Sequence, residues 1–171
     1  QEGDMLVAQL EVNMDAVLHY FKLAKQKKVY TVLNPSPFVS LSEELLSLTD
    51  MIVANESEAY GMGGIAVIGA ESARACGEII MKLGPGTVVI TLGKNGVVVL
   101  DVQGAFHVPE YCVEVVDTQG AGDAFLGTFI AKLAQGDTLQ GAALFANMAA
   151  SLTVTKLGST QTSMPQVWEL A

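Results

Sequence analysis

Hydrophobic residues in this chain follow two alternating patterns, short continuous apolar runs and longer stretches with helical spacing. The continuous runs, which are typical of buried parallel strands, lie at residues 5–10, 29–33, 51–54 and 87–92. The stretches between them predict helices at residues 14–27 and 72–83, and a short helix up to Leu48 opened by a capping box at Ser40-Leu41-Ser42-Glu43. Strands and helices that alternate in this way predict βαβ units, and therefore an α/β fold with a mostly parallel sheet and helices on both faces.

The second half of the sequence has a different pattern. Apolar residues at 97–100 and 105–108, separated by Asp101-Val102-Gln103-Gly104, predict an antiparallel hairpin. A β-branched run at residues 113–116 predicts a further strand, and helical spacing predicts helices at 124–135 and 139–155. We expect turns at residues 158–165 and a short helix at 166–171.

Polar residues and a glycine come directly after the predicted strands. They are Asn34, Asn55, Gly93 and Asp117. Ligands of parallel α/β sheets bind beyond the carboxyl ends of the strands. The sequence therefore predicts that these positions converge on one edge of the sheet, where a ligand would bind.

Composition and charge narrow the classes of function. The chain has 171 residues, half of them hydrophobic, which predicts one domain with a sizeable core. Its net charge of −9 argues against a nucleic acid or an anionic membrane surface as partner. No apolar run is long enough to span a bilayer, and no signal-peptide pattern is visible, so we expect a cytoplasmic protein. Because the chain begins at Gln1 and leads at once into a strand-like run, we interpret it as a piece of a longer protein.

Cysteine and histidine contribute little candidate chemistry. Cys76 and Cys112 have no metal-ligand spacing and lie in apolar stretches, so we expect two buried free thiols. His19 and His107 are the only histidines, which excludes a cluster of histidine metal ligands.

The stretch at residues 116–127, V-D-T-Q-G-A-G-D-A-F-L-G, carries the strongest candidate chemistry. Gly120 and Gly122 permit a sharp turn and a close backbone approach to a ligand. The amides from Gly120 to Asp123 would be the first donors of the following helix, and together with the helix dipole they would attract a phosphate or a developing anion. Asp123 could then take a proton from a hydroxyl nucleophile. The structural alternative is that Asp123 only caps the helix.

The longer string D-T-Q-G-A-G-D-A-F resembles the C-terminal signature of the ribokinase-like carbohydrate kinases, also called the phosphofructokinase B family. The resemblance implies a three-layer α/β/α sandwich and ATP as phosphoryl donor. It also implies that Asp123 is the catalytic base in contact with the substrate. The amides of Gly120, Ala121 and Gly122 would form an anion hole around the transferring phosphoryl group.

Other segments resemble the same family in matching order. Gln9-Leu10-Glu11 implies that Glu11 contacts sugar hydroxyls, and Leu33-Asn34-Pro35-Ser36-Pro37 resembles the N-P-A-P segment of the ribose-specific members. Asn55 and Glu58 correspond to residues that organise Mg²⁺ and its waters, although Asn55 could instead be only a helix cap. The residues implied to bind the nucleotide are Thr91, Leu92, Gly93, Lys94, Asn95 and Gly96 near the phosphates, Gly122, and Asn147 beside the adenine.

The resemblance further implies a site for a monovalent cation, K⁺. Its implied ligands are Asp117, Gln119, Thr153, Lys156, Gly158 and Ser163. The turn Gly158-Ser159-Thr160-Gln161 is one residue longer than the family pattern, which leaves Thr162 as the alternative to Ser163.

The N-terminal half of the family pattern, with its G-G-x-x-N sugar clamp and β-lid, has no counterpart in this sequence. We therefore interpret residues 1–171 as the C-terminal nucleotide-binding and catalytic-base portion of a longer parent. The expected parent is a homodimer that transfers the γ-phosphoryl group of ATP to a primary hydroxyl of a sugar, with ribose preferred. The alternatives are a related kinase for fructose, adenosine or another small alcohol, and a catalytically silent nucleotide-binding fragment. A Rossmann dehydrogenase would need G-x-G-x-x-G after the first strand, which is missing.

Overall fold

The computed structural model of the chain describes residues 3–158 and divides into two compact units. Among these residues, the first unit comprises 3–92 and 98–106, and the second comprises 93–97 and 107–158. The predicted helix at 166–171 and the predicted turn after Gly158 lie outside the described residues. No helix among residues 3–158 is long and apolar enough to cross a membrane.

A six-stranded sheet forms the centre of the first unit, and its strands follow their order in the sequence. The strands are β1 (Met5–Gln9), β2 (Tyr30–Asn34), β3 (Met51–Asn55), β4 (Thr87–Thr91), β5 (Val97–Asp101) and β6 (Gly104–Val108). The first four pair in parallel, with Met5 opposite Tyr30, Val32 opposite Met51, and Met51 opposite Thr87. The predicted fold class, α/β with a mostly parallel sheet, is confirmed.

Four helices connect the parallel strands. They are α1 (Met14–Gln26), α2 (Glu43–Ser47), α3 (Glu56–Gly63) and α4 (Ala70–Met81). Since each parallel strand lies beside its successor, right-handed crossovers place these helices on one face of the sheet. On that face Leu33, Ile52 and Ile90 belong to the same buried cluster as Phe21 of α1 and Ile80 of α4. This apolar cluster fixes the strand register, because a slip of one residue would turn the buried side chains to the opposite face.

In the first unit the starts of α2, α3 and α4 differ from the predictions, and α4 begins at Ala70, two residues before the predicted start. Ser42, not Ser40, caps α2, since its side chain accepts a hydrogen bond from the Leu45 amide. Helix α3 was not predicted, because its sequence ESEAYGMG contains two glycines and has no apolar stripe. Its start is nevertheless encoded locally by a capping box between Asn55 and Glu58.

The predicted hairpin is confirmed as β5 and β6. Two residues connect these neighbouring strands, a length that only an antiparallel pair permits. Asp101 accepts hydrogen bonds from the amides of Gln103 (2.8 Å) and Gly104 (3.1 Å), which stabilises the turn between them.

Two helices that pack against each other dominate the second unit, α5 (Ala121–Ala134) and α6 (Leu139–Thr153). The rings of Phe125 and Phe129 stack in α5 with centroids 5.7 Å apart. Helix α6 contributes small buried residues, which allow close helix packing: Ala142, Ala143, Ala146 and Ala149. Thr138 caps α6 by accepting a hydrogen bond from the Gly141 amide.

The strand predicted at residues 113–116 is wrong. This segment has no regular secondary structure, and the Val116 amide donates to the carbonyl oxygen of Val154 just beyond α6 instead of joining a sheet. Helix α5 begins at Ala121, three residues before the predicted start. The β-branched composition favoured a strand, but the hydrogen bond to the distant Val154 carbonyl satisfies the Val116 amide without one.

The two cysteines differ in environment, which corrects the prediction that both are buried. Cys112 is exposed, whereas Cys76 is buried and donates from Sγ to the Ala59 carbonyl oxygen. Burial raises the pKa of the Cys76 thiol and so lowers its thiolate fraction.

We therefore expect one fast and one slow thiol when the folded chain is titrated with a chromogenic disulfide reagent. Cys112 should react at once and Cys76 only on addition of denaturant. The variant Cys112→Ser should lose the fast phase and keep the slow one. Two equally fast thiols in the folded wild-type chain would contradict the buried position of Cys76.

Candidate active site

Polar side chains end all four parallel strands of the first unit. Gln9 lies opposite Asn34, and Asn55 lies opposite Thr91. The Gln9 amide donates to Asn34 Oδ1 (3.1 Å), and the Asn34 amide donates to the Val53 carbonyl (2.7 Å). Of the four positions predicted to converge on one edge of the sheet, Asn34 and Asn55 are confirmed at the carboxyl ends of β2 and β3, whereas Asp117 follows no strand. This edge is where α/β folds bind their ligands.

Glu11 lies two residues beyond β1 at the same end of the sheet, and it is exposed. The preceding residue is fixed to the turn after β2, because the Leu10 amide donates to the Ser36 carbonyl over 3.0 Å. The Glu11 carboxylate therefore stands in solvent on an anchored segment, where it can accept hydrogen bonds from a polyhydroxyl ligand.

Asn55 and Glu58 lock each other at the start of α3. Asn55 Oδ1 accepts from the Glu58 amide (2.9 Å) and from the Ser57 hydroxyl (2.7 Å), and Glu58 Oε2 accepts from the Asn55 amide (2.9 Å). The Glu58 side chain is buried, with an exposure of 5%. Asn55 is therefore the N-cap of α3. The same contacts also hold a carboxylate and an amide oxygen in fixed positions at the ligand-binding edge.

These two side chains suit Mg²⁺ by their chemistry, since Mg²⁺ takes hard oxygen ligands and retains several waters. Among residues 3–158 there is no group of three or more His, Cys, Asp or Glu side chains that could hold a metal ion. Asn55 and Glu58 are therefore the residues at this edge whose side-chain oxygens could face a divalent ion or its waters.

The G-A-G-D turn of the second unit forms the start of α5. Gly120 is the N-cap with φ of +78°, a left-handed conformation that favours glycine. The Ala121 amide donates to the Thr118 carbonyl over a long 3.3 Å. Because Gly120 is the N-cap, Asp123 is not. Asp123 is the third residue of the helix, and it is exposed. The start of α5 therefore combines a glycine turn, the positive end of a helix dipole and a carboxylate.

Asp117 connects the segment before this turn with the end of α6. Its two carboxylate oxygens accept from the amides of Gln119 and Gly158, each at 3.0 Å, and these bonds lower the pKa of Asp117. The amides of Val116 and Asp117 both donate to the Val154 carbonyl. The structure thus brings Asp117, Gln119 and Gly158 together beside the end of α6.

Two more of the implied cation ligands lie at the end of α6 and just beyond it. They are Thr153 and Lys156. The Thr153 carbonyl accepts from the Lys156 amide over 3.2 Å. Thr162 and Ser163 lie outside the described residues.

The implied nucleotide-phosphate turn is a single turn of 3₁₀-helix at Gly93–Asn95, closed by a hydrogen bond from the Gly96 amide to the Gly93 carbonyl (3.2 Å). Gly93 and Gly96 have φ of +52° and +84°. Lys94 is exposed in this turn. Thr91 and Leu92 belong to the first unit, where Thr91 Oγ1 donates to the Ala54 carbonyl (3.4 Å).

Asn147, the implied adenine neighbour, is buried in α6 and donates from Nδ2 to the Pro109 carbonyl over 2.7 Å. Sequence reasoning missed His107, whose ring Nε2 lies 2.8 Å from the Asn95 carbonyl oxygen. No local pattern could have revealed either contact, since the partners are 38 and 12 residues apart.

Comparison with known proteins identifies the protein family of this chain. The model of the pfkB family carbohydrate kinases matches residues 2–167, so the chain belongs to this family. It is 43% identical over 169 residues to a ribokinase of Staphylococcus aureus (strain COL), covering 98% of this chain and 55% of that protein. It is 38% identical over 164 residues to a ribokinase of Haemophilus influenzae, covering 96% of this chain and 53% of that protein.

The solved structure of Arabidopsis thaliana ribokinase, complexed with ribose and ATP, matches with a TM-score of 0.90 at 26% identity. The match covers 97% of this chain and 54% of that one. The implied ribokinase-like fold is therefore confirmed. The chain spans about half the length of the curated relatives it matches.

Proposed function

We propose that a longer parent protein containing these residues as its C-terminal portion transfers the γ-phosphoryl group of ATP to a primary hydroxyl of a sugar. The observation that carries this proposal is the start of α5, where Asp123 follows the glycine turn of Gly120 and Gly122 in a member of the pfkB family. An anion site and a proton acceptor on one helical turn are what phosphoryl transfer to a hydroxyl requires.

Asp123 would accept the proton of the sugar hydroxyl as the oxygen attacks the γ-phosphorus. A new phosphorus–oxygen bond forms to the sugar, the bond to the bridging oxygen of ATP breaks, and ADP leaves with the electron pair. The amides of Gly120, Ala121 and Gly122 would stabilise the charge on the transferring group. A positioned base of this kind typically contributes about 10²–10⁴ in rate.

The remaining implied residues would bind the nucleotide and its ions. The turn formed by Gly93, Lys94, Asn95 and Gly96 would lie at the phosphates, and Asn147 near the adenine. Asn55 and Glu58 would orient the waters of Mg²⁺. Bound Mg²⁺ would neutralise negative charge on the phosphates.

Ribose is the sugar that the sequence favours. Glu11 would bind its hydroxyls, and two relatives that cover nearly the whole chain are ribokinases. A kinase for fructose, adenosine or another small alcohol is the alternative, since much of the sugar site would come from parts of the parent beyond these residues. We further propose that the parent is a cytoplasmic homodimer.

The test is a coupled ADP-release assay on the parent protein with Mg-ATP and a panel of acceptors containing ribose, fructose and adenosine. We expect ribose to give the highest kcat/KM. Turnover with fructose alone or with adenosine alone would show that the parent is a kinase for that acceptor and not for ribose. Nucleotide binding with no turnover on any acceptor would favour a catalytically silent protein.

Potassium is expected to raise the activity of the parent severalfold. An ion bound near Asp117, Gln119, Thr153, Lys156, Gly158 and Ser163 would order the segment that leads into the Gly120 turn. It would do so without touching the substrate. The measurement is kcat in K⁺ and in a large organic cation at matched ionic strength. Equal rates in the two salts would count against the cation site.

A further inference from the structure

His107 makes a contact to the 3₁₀ turn at Gly93–Asn95 that the proposed mechanism does not use. Its Nε2 lies 2.8 Å from the Asn95 carbonyl oxygen. A carbonyl oxygen can only accept a hydrogen bond, so Nε2 must carry the proton and donate. Both the Nε2–H tautomer of neutral histidine and the imidazolium ion can make this bond.

The turn itself depends on support from outside. Gly93 and Gly96 both have positive φ, and glycines lose more conformational freedom on ordering than other residues. One backbone hydrogen bond, from the Gly96 amide to the Gly93 carbonyl, closes the turn. A loop of this kind keeps one conformation only if neighbouring groups hold it.

Consecutive residues of one segment supply that support. His107 holds the Asn95 carbonyl, and the next residue, Val108, packs its carbonyl oxygen so closely on Gly96 that any Cβ there would collide with it. The following residue, Pro109, accepts the hydrogen bond from Asn147 of α6. The segment from His107 to Pro109 therefore contacts both the turn and the helix that carries the implied adenine neighbour.

We propose that His107 is a positioning residue for nucleotide binding: by holding the Asn95 carbonyl, it fixes the Gly93–Asn95 turn for contact with the nucleotide phosphates. The proposal rests on the proposed function, because that function places the phosphates at this turn. His107 does not touch the nucleotide, and its effect passes through the backbone of Asn95.

The first test needs no nucleotide. In the 171-residue chain, His107→Ala should raise the amide hydrogen-exchange rate of Gly96 about fivefold, the factor that corresponds to one typical hydrogen bond. His107→Gln should restore the wild-type rate, because the Gln side-chain amide nitrogen is as many bonds from Cβ as histidine Nε2 and also donates. His19→Ala, a substitution of the other histidine, in α1, is the matched control and should change nothing. An unchanged Gly96 rate in His107→Ala would overturn the proposal.

The second test separates positioning from general stability by calorimetric titration of the parent protein with Mg-ADP and with adenosine. His107→Ala should weaken Mg-ADP binding about fivefold and leave adenosine, which has no phosphates, unchanged. His107→Gln should recover Mg-ADP binding. Equal weakening of both ligands, or weakening of neither, would overturn the positioning role. If the wild-type parent binds neither ligand, the nucleotide role in the proposed function fails, and the exchange result alone decides whether His107 fixes the turn.

Discussion

Asp123→Asn in the parent protein is expected to lower kcat by at least about 100-fold and to leave Mg-ATP binding nearly unchanged. The substitution keeps the size of the side chain and removes the proton acceptor. Asp123 is exposed at the third position of α5, so its replacement should not disturb a packed core. The measurements are steady-state kinetics with ribose and calorimetric titration with Mg-ATP.

Asp15→Asn is the matched control for this experiment. Asp15 is also an exposed carboxylate in the first turn of a helix, α1, so the control removes the same favourable charge–dipole interaction. We expect nearly wild-type kcat in the control. Near-normal turnover of Asp123→Asn would remove Asp123 from the role of catalytic base, and an equal loss in both variants would indicate a stability effect.

The 171-residue chain by itself is expected to bind Mg-ATP weakly, to phosphorylate no sugar detectably and to self-associate. Proximity catalysis requires the reacting atoms to be held about 3–3.5 Å apart, and the chain spans about half the length of its relatives. Among the described residues β1 pairs only with β2, and its Val7 is 37% exposed. An unprotected edge strand of this kind favours pairing with another chain.

Light scattering beside a coupled ADP-release assay with ribose would test this expectation. Val7→Lys places a charge on the edge strand and should shift the chain toward the monomer, without restoring turnover. Ribose-dependent turnover by a monodisperse wild-type monomer would contradict the prediction. It would mean that a complete sugar site lies within these residues.

The sequence by itself predicted the elements whose signals are local. Continuous apolar runs revealed β1 to β4. For β2, β3 and β4 the reason is that inner strands of a parallel sheet are buried on both faces. The prediction that β1 is also buried was wrong, because β1 lies at the edge of the sheet and none of its residues is buried. The spacing of Val17, Phe21 and Ala24 revealed α1, and the Asp101–Gly104 turn revealed the β5–β6 hairpin. The motif around Asp123 was readable for the same reason, since a glycine turn and a helix start are encoded by adjacent residues.

Local signals failed where a distant contact decided the outcome. Residues 113–116 have strand composition, yet the Val116 amide bonds to the Val154 carbonyl, 38 positions along the chain, and no strand forms. Cys112, which lies just before this run, is exposed. Helix α3 shows the opposite case, because its capping box outweighs a weak helical composition.

In the candidate site, too, some features were determined by the local sequence and others by contacts between distant segments. The sequence determined the types of residue present, namely the glycines at the start of α5, the carboxylate of Asp123 and the side-chain oxygens of Asn55 and Glu58. Only the tertiary structure decided that Asn55 lies opposite Thr91, that Asp117 binds the Gly158 amide, and that His107 holds the Asn95 carbonyl. These contacts join segments far apart in the sequence, and the burial and backbone hydrogen bonding that select them exist only once the chain has folded.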